Sequence, residues 1–215
     1  KNQQYTVSKR NFDLLNNQTI IGSAGYLRTT SSQTMSLIGS DEIKYSIVGA
    51  RSGSAGADIL IGSSEHNNGN IKLSGEKYDS ELVMVQGGLL IVGEKTILGL
   101  GASATTVQAE NSASISNYVT LAGKVSLQDY STMLNQGEIK GSVVIKSDAT
   151  YINNGAQNGK MEVNGAAYGS GTFSETVVLS GGTLHVDNTT GKQSHSALTL
   201  KRGSVTDFYT PDASL

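Results

Sequence analysis

Met133-Leu134-Asn135-Gln136-Gly137-Glu138-Ile139-Lys140-Gly141-Ser142-Val143-Val144-Ile145 and Tyr151-Ile152-Asn153-Asn154-Gly155-Ala156-Gln157-Asn158-Gly159-Lys160-Met161-Glu162-Val163 repeat one pattern 18 residues apart. Large apolar residues, Asn and Gly fall at matching places. One step back gives Ile115, Asn117, Leu121, Gly123, Val125 and Leu127, and a second gives Ile97, Gly99, Val107 and Ala109. Fixed self-similarity of this length marks a stacked-repeat architecture, in which each unit buries its apolar face only against its neighbours.

The pair of apolar residues separated by one position can be followed as Ile71/Leu73, Leu89/Ile91, Val107/Ala109, Val125/Leu127, Val143/Ile145 and Met161/Val163. Two further columns recur with the same step: Val85, Ser103, Leu121, Ile139, Gln157, and Ile97, Ile115, Met133, Tyr151. Alternation at period two within each segment reads as short strands with one buried face. Three strands per 18-residue unit, each stacked on its copy, predict an all-β fold: a single right-handed parallel β-helix with coils of about 18 residues. At the usual strand spacing, some 8 to 11 coils make a rod of roughly 40–55 Å. The aligned Asn117, Asn135 and Asn153 read as a turn ladder bonded along the axis.

The expected organisation is an N-terminal cap and irregular first coil over 1–34, then β-helix over 35–215, most regular over 71–168. The apolar pair resumes at Leu184/Val186, 23 residues after Met161/Val163, which predicts a loop insertion near 164–174. The polar run Asp187-Asn188-Thr189-Thr190-Gly191-Lys192-Gln193-Ser194-His195 predicts a second, near 187–197. An open solenoid end exposes sheet edge, so a cap is required there.

Composition agrees with a rod. Gly, Ser, Thr and Asn supply 88 of 215 residues, with 26 Gly against 1 Pro. That is the chemistry of many turns and polar outer faces, while 37% hydrophobic content provides a core. The formal net charge of -2 gives no electrostatic footprint for nucleic acid or an anionic membrane. No apolar run reaches the roughly 18 residues of a membrane span, so direct membrane insertion of this segment is not expected and a soluble chain is. Zero Cys removes disulfides, thiolate catalysis and Cys-based metal sites together.

No catalytic signature is legible, and no cofactor or metal site is expected. His66, His185 and His195 lie far apart, without metal-ligand spacing. His185 and Asp187 fall on one strand face, the outward side of a coil. Ile97-Leu98-Gly99-Leu100-Gly101-Ala102-Ser103-Ala104 fits G-x-G-x-x-A, but a β-type segment, Thr105-Thr106-Val107-Gln108-Ala109, follows where a nucleotide site needs a helix. Acidic residues are scattered, with no carboxylate pair in view of the kind polysaccharide cleavage uses.

The runs Asn135-Gln136-Gly137-Glu138-Ile139-Lys140-Gly141, Asn153-Asn154-Gly155 and Val177-Val178-Leu179-Ser180-Gly181-Gly182-Thr183-Leu184-His185-Val186 resemble the N-x-G-x-I-x-G and L-x-x-G-G-x-L-x-V repeats of bacterial type V autotransporter passenger domains. The similarity covers about residues 71–206 and is one of repeat style. The absence of Cys suits a chain that crosses the outer membrane unfolded. The family's membrane barrel and the G-D-S-G-S motif of its serine-protease branch are both missing, so the resemblance implies a passenger, or part of one, outside that branch. It further implies an extracellular or bacterial cell-surface protein that binds host cells as an adhesin or soluble receptor ligand and acts as a virulence factor. Its partner would be a host cell-surface protein or glycan, with self-association open. A polysaccharide-acting β-helix enzyme and a structural stalk are the alternatives.

Binding residues are expected where the repeat is irregular: Asp41, Glu42, Lys44 and Tyr45, then Tyr168 and Phe173, then Lys192 and His195. Exposed, Tyr168 and Phe173 would be hot spots. Folded back onto the rod, they would be packing residues.

Overall fold

The computed structural model describes residues 82–93, 96–99, 101–187 and 193–209, together with the backbone of nine short strands between residues 5 and 78. The described residues form strands and turns without a helix, and every strand pair is parallel. The chain is a β-solenoid with three columns of stacked strands.

The first column includes Leu82–Gln86, Thr106–Glu110, Lys124–Leu127, Val143–Ile145 and Met161–Val163. The second has ten strands among the described residues, including Leu89–Val92, Ser114–Asn117, Thr132–Asn135, Thr150–Asn153, Ala166–Tyr168, Thr183–Asp187 and Val205–Tyr209. The third stacks the two-residue strands Lys77–Tyr78, Ile97–Leu98, Thr120–Leu121, Glu138–Ile139 and Ala156–Gln157. Thr172–Val178 and Ser194–Leu200 each run through the third column into the first, joining the two into one sheet.

The 18-residue step is that of the pairing register from Val107 through Val125 and Val143 to Met161. Alternate residues face the axis and are buried: Val107, Val125, Val143 and Met161 in one column, Ile115, Met133 and Tyr151 in the next, Leu98, Leu121, Ile139 and Gln157 in the third. Three successive coils turn the corner between first and second columns on a tight four-residue turn. Backbone N–H groups of Ala113, Ser131 and Ala149 donate to the carbonyls of Glu110, Gln128 and Lys146 at 3.0–3.2 Å. In two coils the corner from second to third column needs glycine for space, where the preceding coil holds Val119: a Cβ on Gly137 would lie 2.0 Å from Val119 O, and one on Gly155 2.0 Å from Gly137 O.

Asn117, Asn135 and Asn153 are fully buried and form the expected ladder. Asn117 Nδ2 donates to Asn135 Oδ1 at 2.7 Å, Asn135 Nδ2 donates to Asn153 Oδ1 at 2.8 Å, and Asn153 Nδ2 donates to Thr172 O at 2.9 Å. The same amides hold corner carbonyls, as in Asn135 Nδ2 to Gly137 O at 3.2 Å. The ladder begins abruptly, because Val92 precedes Asn117 in register, and Asn117 Oδ1 is buried without a partner.

Upstream of Val107 the register departs from the expected series. Val107 stacks on Val83, 24 residues earlier, and not on Leu89. Leu98 and Val107 are nine positions apart, against four between Leu121 and Val125, so the stretch between them, with a turn at residues 102–104, holds most of the excess. Ile71/Leu73 belongs to the second column and stacks under Leu90/Val92. Leu89 and Ile91 are the half-buried outward residues of that strand. Val85 stacks on Ala109, Ser103 is exposed in that turn, and Ile97 is an outward residue of the third column.

Downstream the insertion near 164–174 is absent. The step from Met161 to Thr176 is 15, shorter than the regular coil, and the segment supplies the strands Ala166–Tyr168 and Thr172–Val178. Leu184 follows Ala167 in the second column, so matching it to Met161 had joined two different columns. The next step, Thr176 to Leu198, is 22. Of the loop expected near 187–197, residues 188–192 lie outside the described residues and residues 194–197 belong to a strand.

Candidate functional site, the outer face of the second column

A β-strand that buries alternate residues must present the others outward. On the second column these form two rows parallel to the axis. One runs Lys72, Ile91, Ser116, Leu134, Ile152, Tyr168, His185, Asp207, and the other Asn70, Leu89, Ser114, Thr132, Thr150, Ala166, Thr183, Val205. The second row is mostly hydroxyl from Ser114 to Thr183, and Ser114 Oγ and Thr132 Oγ1 are hydrogen-bonded at 3.1 Å. The first row is apolar and then aromatic from Leu134 to His185: Leu134 is half-buried, Ile152 is 36% exposed, and Tyr168 sits against the His185 ring with centroids 5.2 Å apart and planes 42° apart. His185 Nδ1 lies 3.1 Å from an Asp207 carboxylate oxygen.

Exposed tyrosines stand at both borders. Tyr118 follows the strand Ser114–Asn117 and is 47% exposed; Tyr130 precedes Thr132–Asn135 and is 69% exposed. Tyr130 has φ 61, a left-handed conformation that is a genuine outlier for a bulky residue. In the coils on either side the same corner position holds Ser112 (φ 59) and Asp148 (φ 65), and further along it holds Gly181 and Gly203 (φ 84 and 85), so Tyr130 is the large side chain among them.

The sequence-predicted residues divide. Tyr168 lies on this face. Phe173 does not: at 3% exposure it faces the axis, edge-on to Tyr151 with centroids 6.5 Å apart and stacked on the His195 ring at 4.7 Å. His195 occupies the inward position after Phe173 in the third column and is half-buried. Gln193 joins it to the face. Gln193 Nε2 donates to Gly169 O and His185 O at 2.8 and 3.2 Å, which leaves Gln193 Oε1 to accept from His195 Nε2–H at 2.9 Å. Thr176 Oγ1–H then donates to His195 Nδ1 at 2.9 Å. Both ring nitrogens of the neutral imidazole are satisfied, and burial holds its pKa below the ordinary histidine value. Lys44 and Tyr45 lie in the strand Lys44–Val48, register-paired with Asn70 and Ile71. Their side chains, with Asp41, Glu42 and Lys192, lie outside the described residues.

Sequence reading missed Ile152 and Asp207. The first was available from the repeat, since Ser116, Leu134 and Ile152 stand on the 18-residue step at outward positions. Asp207 becomes the partner of His185 only through the 22-residue coil between them, whereas sequence alternation had paired His185 with Asp187.

The first column's outer face is different in kind. Glu110 accepts from Gln86 Nε2 at 2.6 Å, Gln128 Nε2 at 2.9 Å and Gln108 Nε2 at 3.1 Å, and Lys146 Nζ donates to Gln128 Oε1 at 2.5 Å. Led by the Gln86 bond, these hold the Glu110 carboxyl below its ordinary pKa against the opposing effect of burial. Both Glu110 oxygens are already engaged by the protein, so this row is a lateral brace between coils. Among the described residues no cluster of His, Asp and Glu could hold a metal ion. No family model, curated protein or solved structure matches the chain.

Proposed function

We propose that this chain is a binding rod of the autotransporter passenger type, extracellular or displayed on a bacterial surface, that engages host cells through the outer face of its second column. The observation that carries the reading is the row Leu134, Ile152, Tyr168, His185, whose apolar and aromatic side chains occupy outward positions of a parallel sheet. Surface apolar groups that line up across successive coils mark interaction sites more than scattered ones do. The solenoid and its repeat style support the family reading. Polysaccharide cleavage would need two carboxyl groups facing each other across the substrate. In the described rows of this face the carboxylate is Asp207, already paired with His185.

The test is binding of the purified, fluorescently labelled chain to host cells, compared with a Tyr168→Ala variant. Binding by the parent, and its loss in a variant with unchanged β-sheet circular dichroism, is the expected result. Equal binding by both, or none by the parent, refutes the reading.

A further inference from the structure

The backbone ladder between the strands Ala166–Tyr168 and Thr183–Asp187 pairs Ala166 with Thr183 and Ala167 with Leu184, and ends there. Tyr168 and His185, whose rings lie 5.2 Å apart on the outer face, therefore sit one step past the last paired residues. The side chain of Gln193 spans the two strands at that point. Its Nε2 donates to Gly169 O at 2.8 Å and to His185 O at 3.2 Å, so one amide ties the residue after Tyr168 to His185 itself.

Gln193 is held in turn from the inner side of the sheet. Its two amide hydrogens are used on the carbonyls, which turns Oε1 toward His195 Nε2 at 2.9 Å, and a ring with a proton on Nε2 is the donor this bond needs. Nδ1 of the same ring accepts from Thr176 Oγ1 at 2.9 Å, and the ring lies flat on Phe173, with centroids 4.7 Å apart and planes 13° apart. These partners suit a neutral imidazole. A second proton, on Nδ1, would face the Thr176 hydroxyl and turn its hydrogen away, toward Ser174 O at 3.5 Å.

The added charge would also meet no carboxylate among the described residues. On the strand beneath, Glu175 pairs in register with Ala197 and lies 3.9 Å from Lys160 Nζ. Asp207 lies against His185 on the outer face. Tyr168 is the titratable group of the strand Ala166–Tyr168, and Ser194–Leu200 carries none besides His195. Lys192 and the side chains of Asp187 and Tyr209 lie outside the described residues.

We infer that His195 is a proton-operated latch on the binding face. Neutral, it holds Gln193 across Tyr168 and His185 and fixes the two rings relative to each other; protonated, its ring turns out to water, Gln193 lets go and the face loosens. The ring is half-buried, so a side-chain rotation brings it to solvent. Burial holds the pKa of the latched ring below the ordinary histidine value, so the released form takes up the proton first and acid favours release. The inference rests on the binding reading above and names the regulation of the same face.

The test measures cell binding at about pH 7.5 and about pH 5.5 and follows hydrogen exchange at Ser194 N–H, which donates to Gly171 O at 3.3 Å next to the latch. In the parent, opening at Ser194, corrected for the intrinsic pH dependence of exchange, should rise by up to about tenfold per pH unit below about 6.5. Cell binding should weaken at least about threefold between the two pH values. His195→Gln keeps an N–H for Gln193 Oε1 without a titrating group and should flatten both responses. Gln193→Ala removes the tie and should bind weakly at both pH values. His185→Gln is the control for the histidine on the face itself, and should lower binding while keeping the pH response. Equal binding by the parent at both pH values, a response that survives in His195→Gln or vanishes in His185→Gln, or full binding by Gln193→Ala overturns the inference and leaves the binding reading standing. No binding by the parent at either pH removes both.

Discussion

Replacing Asn135 by alanine is expected to destabilise the coils around it by about 3 kcal/mol. Asn135 is fully buried, accepts from Asn117 at 2.7 Å and donates to Asn153 at 2.8 Å. Losing the two ladder bonds at about 1 kcal/mol each, with the longer contacts from Asn135 Nδ2 to Gly137 O and Ala156 O at 3.2 and 3.3 Å, and leaving Asn117 Nδ2 with its own longer contacts to Glu138 O and Val119 O at 3.3 and 3.5 Å, gives roughly 2–4 kcal/mol in all. Asn153 Oδ1 keeps a 3.2 Å bond from Gly155 N–H, which moderates the loss on that side. Asn117→Ala should cost less, about 1–2 kcal/mol, because it breaks one ladder bond and also removes the unpartnered Asn117 Oδ1. The double variant should fall short of the sum, since the two side chains share a bond. Stacked repeats open segment by segment, so the assay is native-state hydrogen exchange. The amides to follow are Gln136 N–H, bonded to Asn117 O at 2.8 Å, and Asn154 N–H, bonded to Asn135 O at 2.8 Å. Ser126→Ala, on the outer face of the first column, is the control and should change exchange by less than ~0.5 kcal/mol. Equal costs for Asn117→Ala and Asn135→Ala, or strict additivity, would refute a ladder that begins at Asn117.

Other consequences follow from single positions. Tyr130→Gly relieves a left-handed backbone and should raise stability by about 1 kcal/mol in denaturant unfolding while weakening cell binding; a destabilised variant would show that the Tyr130 side chain packs. Gly155→Ala would press a Cβ to 2.0 Å from Gly137 O and should abolish exchange protection at Ala156 and neighbouring amides, so normal protection there would contradict the close approach. Burial places the folded-state pKa of His195 below that of the unfolded chain. The unfolded state therefore takes up the proton first, and stability should fall as pH drops from about 7 toward 5. Urea midpoints across that range should show this component in the parent and lose it in His195→Gln; an identical pH dependence in both would assign it elsewhere.

The fold was legible where side chains obey one period. Between Val107 and Val163 the same step governs apolar residues, Asn and Gly, because identical coils place identical demands on core, ladder and corner. It failed at Leu89-Leu90-Ile91-Val92, where four apolar residues in a row hide which pair faces the axis. Only the extra residues after Leu98, invisible to a fixed step, decide that Leu90 and Val92 do. It failed again at Leu184, since an apolar-x-apolar pair carries no label for its column. The same limit separates Tyr168 from Phe173: both are aromatics among glycines, yet five residues of chain turn one outward and the other onto Tyr151. Ile152, Tyr168, His185 and Asp207 become one row only when coils of 16, 17 and 22 residues are stacked in register.

The most direct test of a rod that binds through one face compares two charges placed in the same coil. Ile152→Glu puts a carboxylate on the outer face of the second column, and Val144→Glu puts one on the outer face of the first. With equal circular dichroism, cell binding should fall by more than about tenfold for Ile152→Glu, the size of a lost hot spot, and stay at the parent level for Val144→Glu. Retained binding by Ile152→Glu, or equal loss in both, would contradict the assignment of the second column as the binding face.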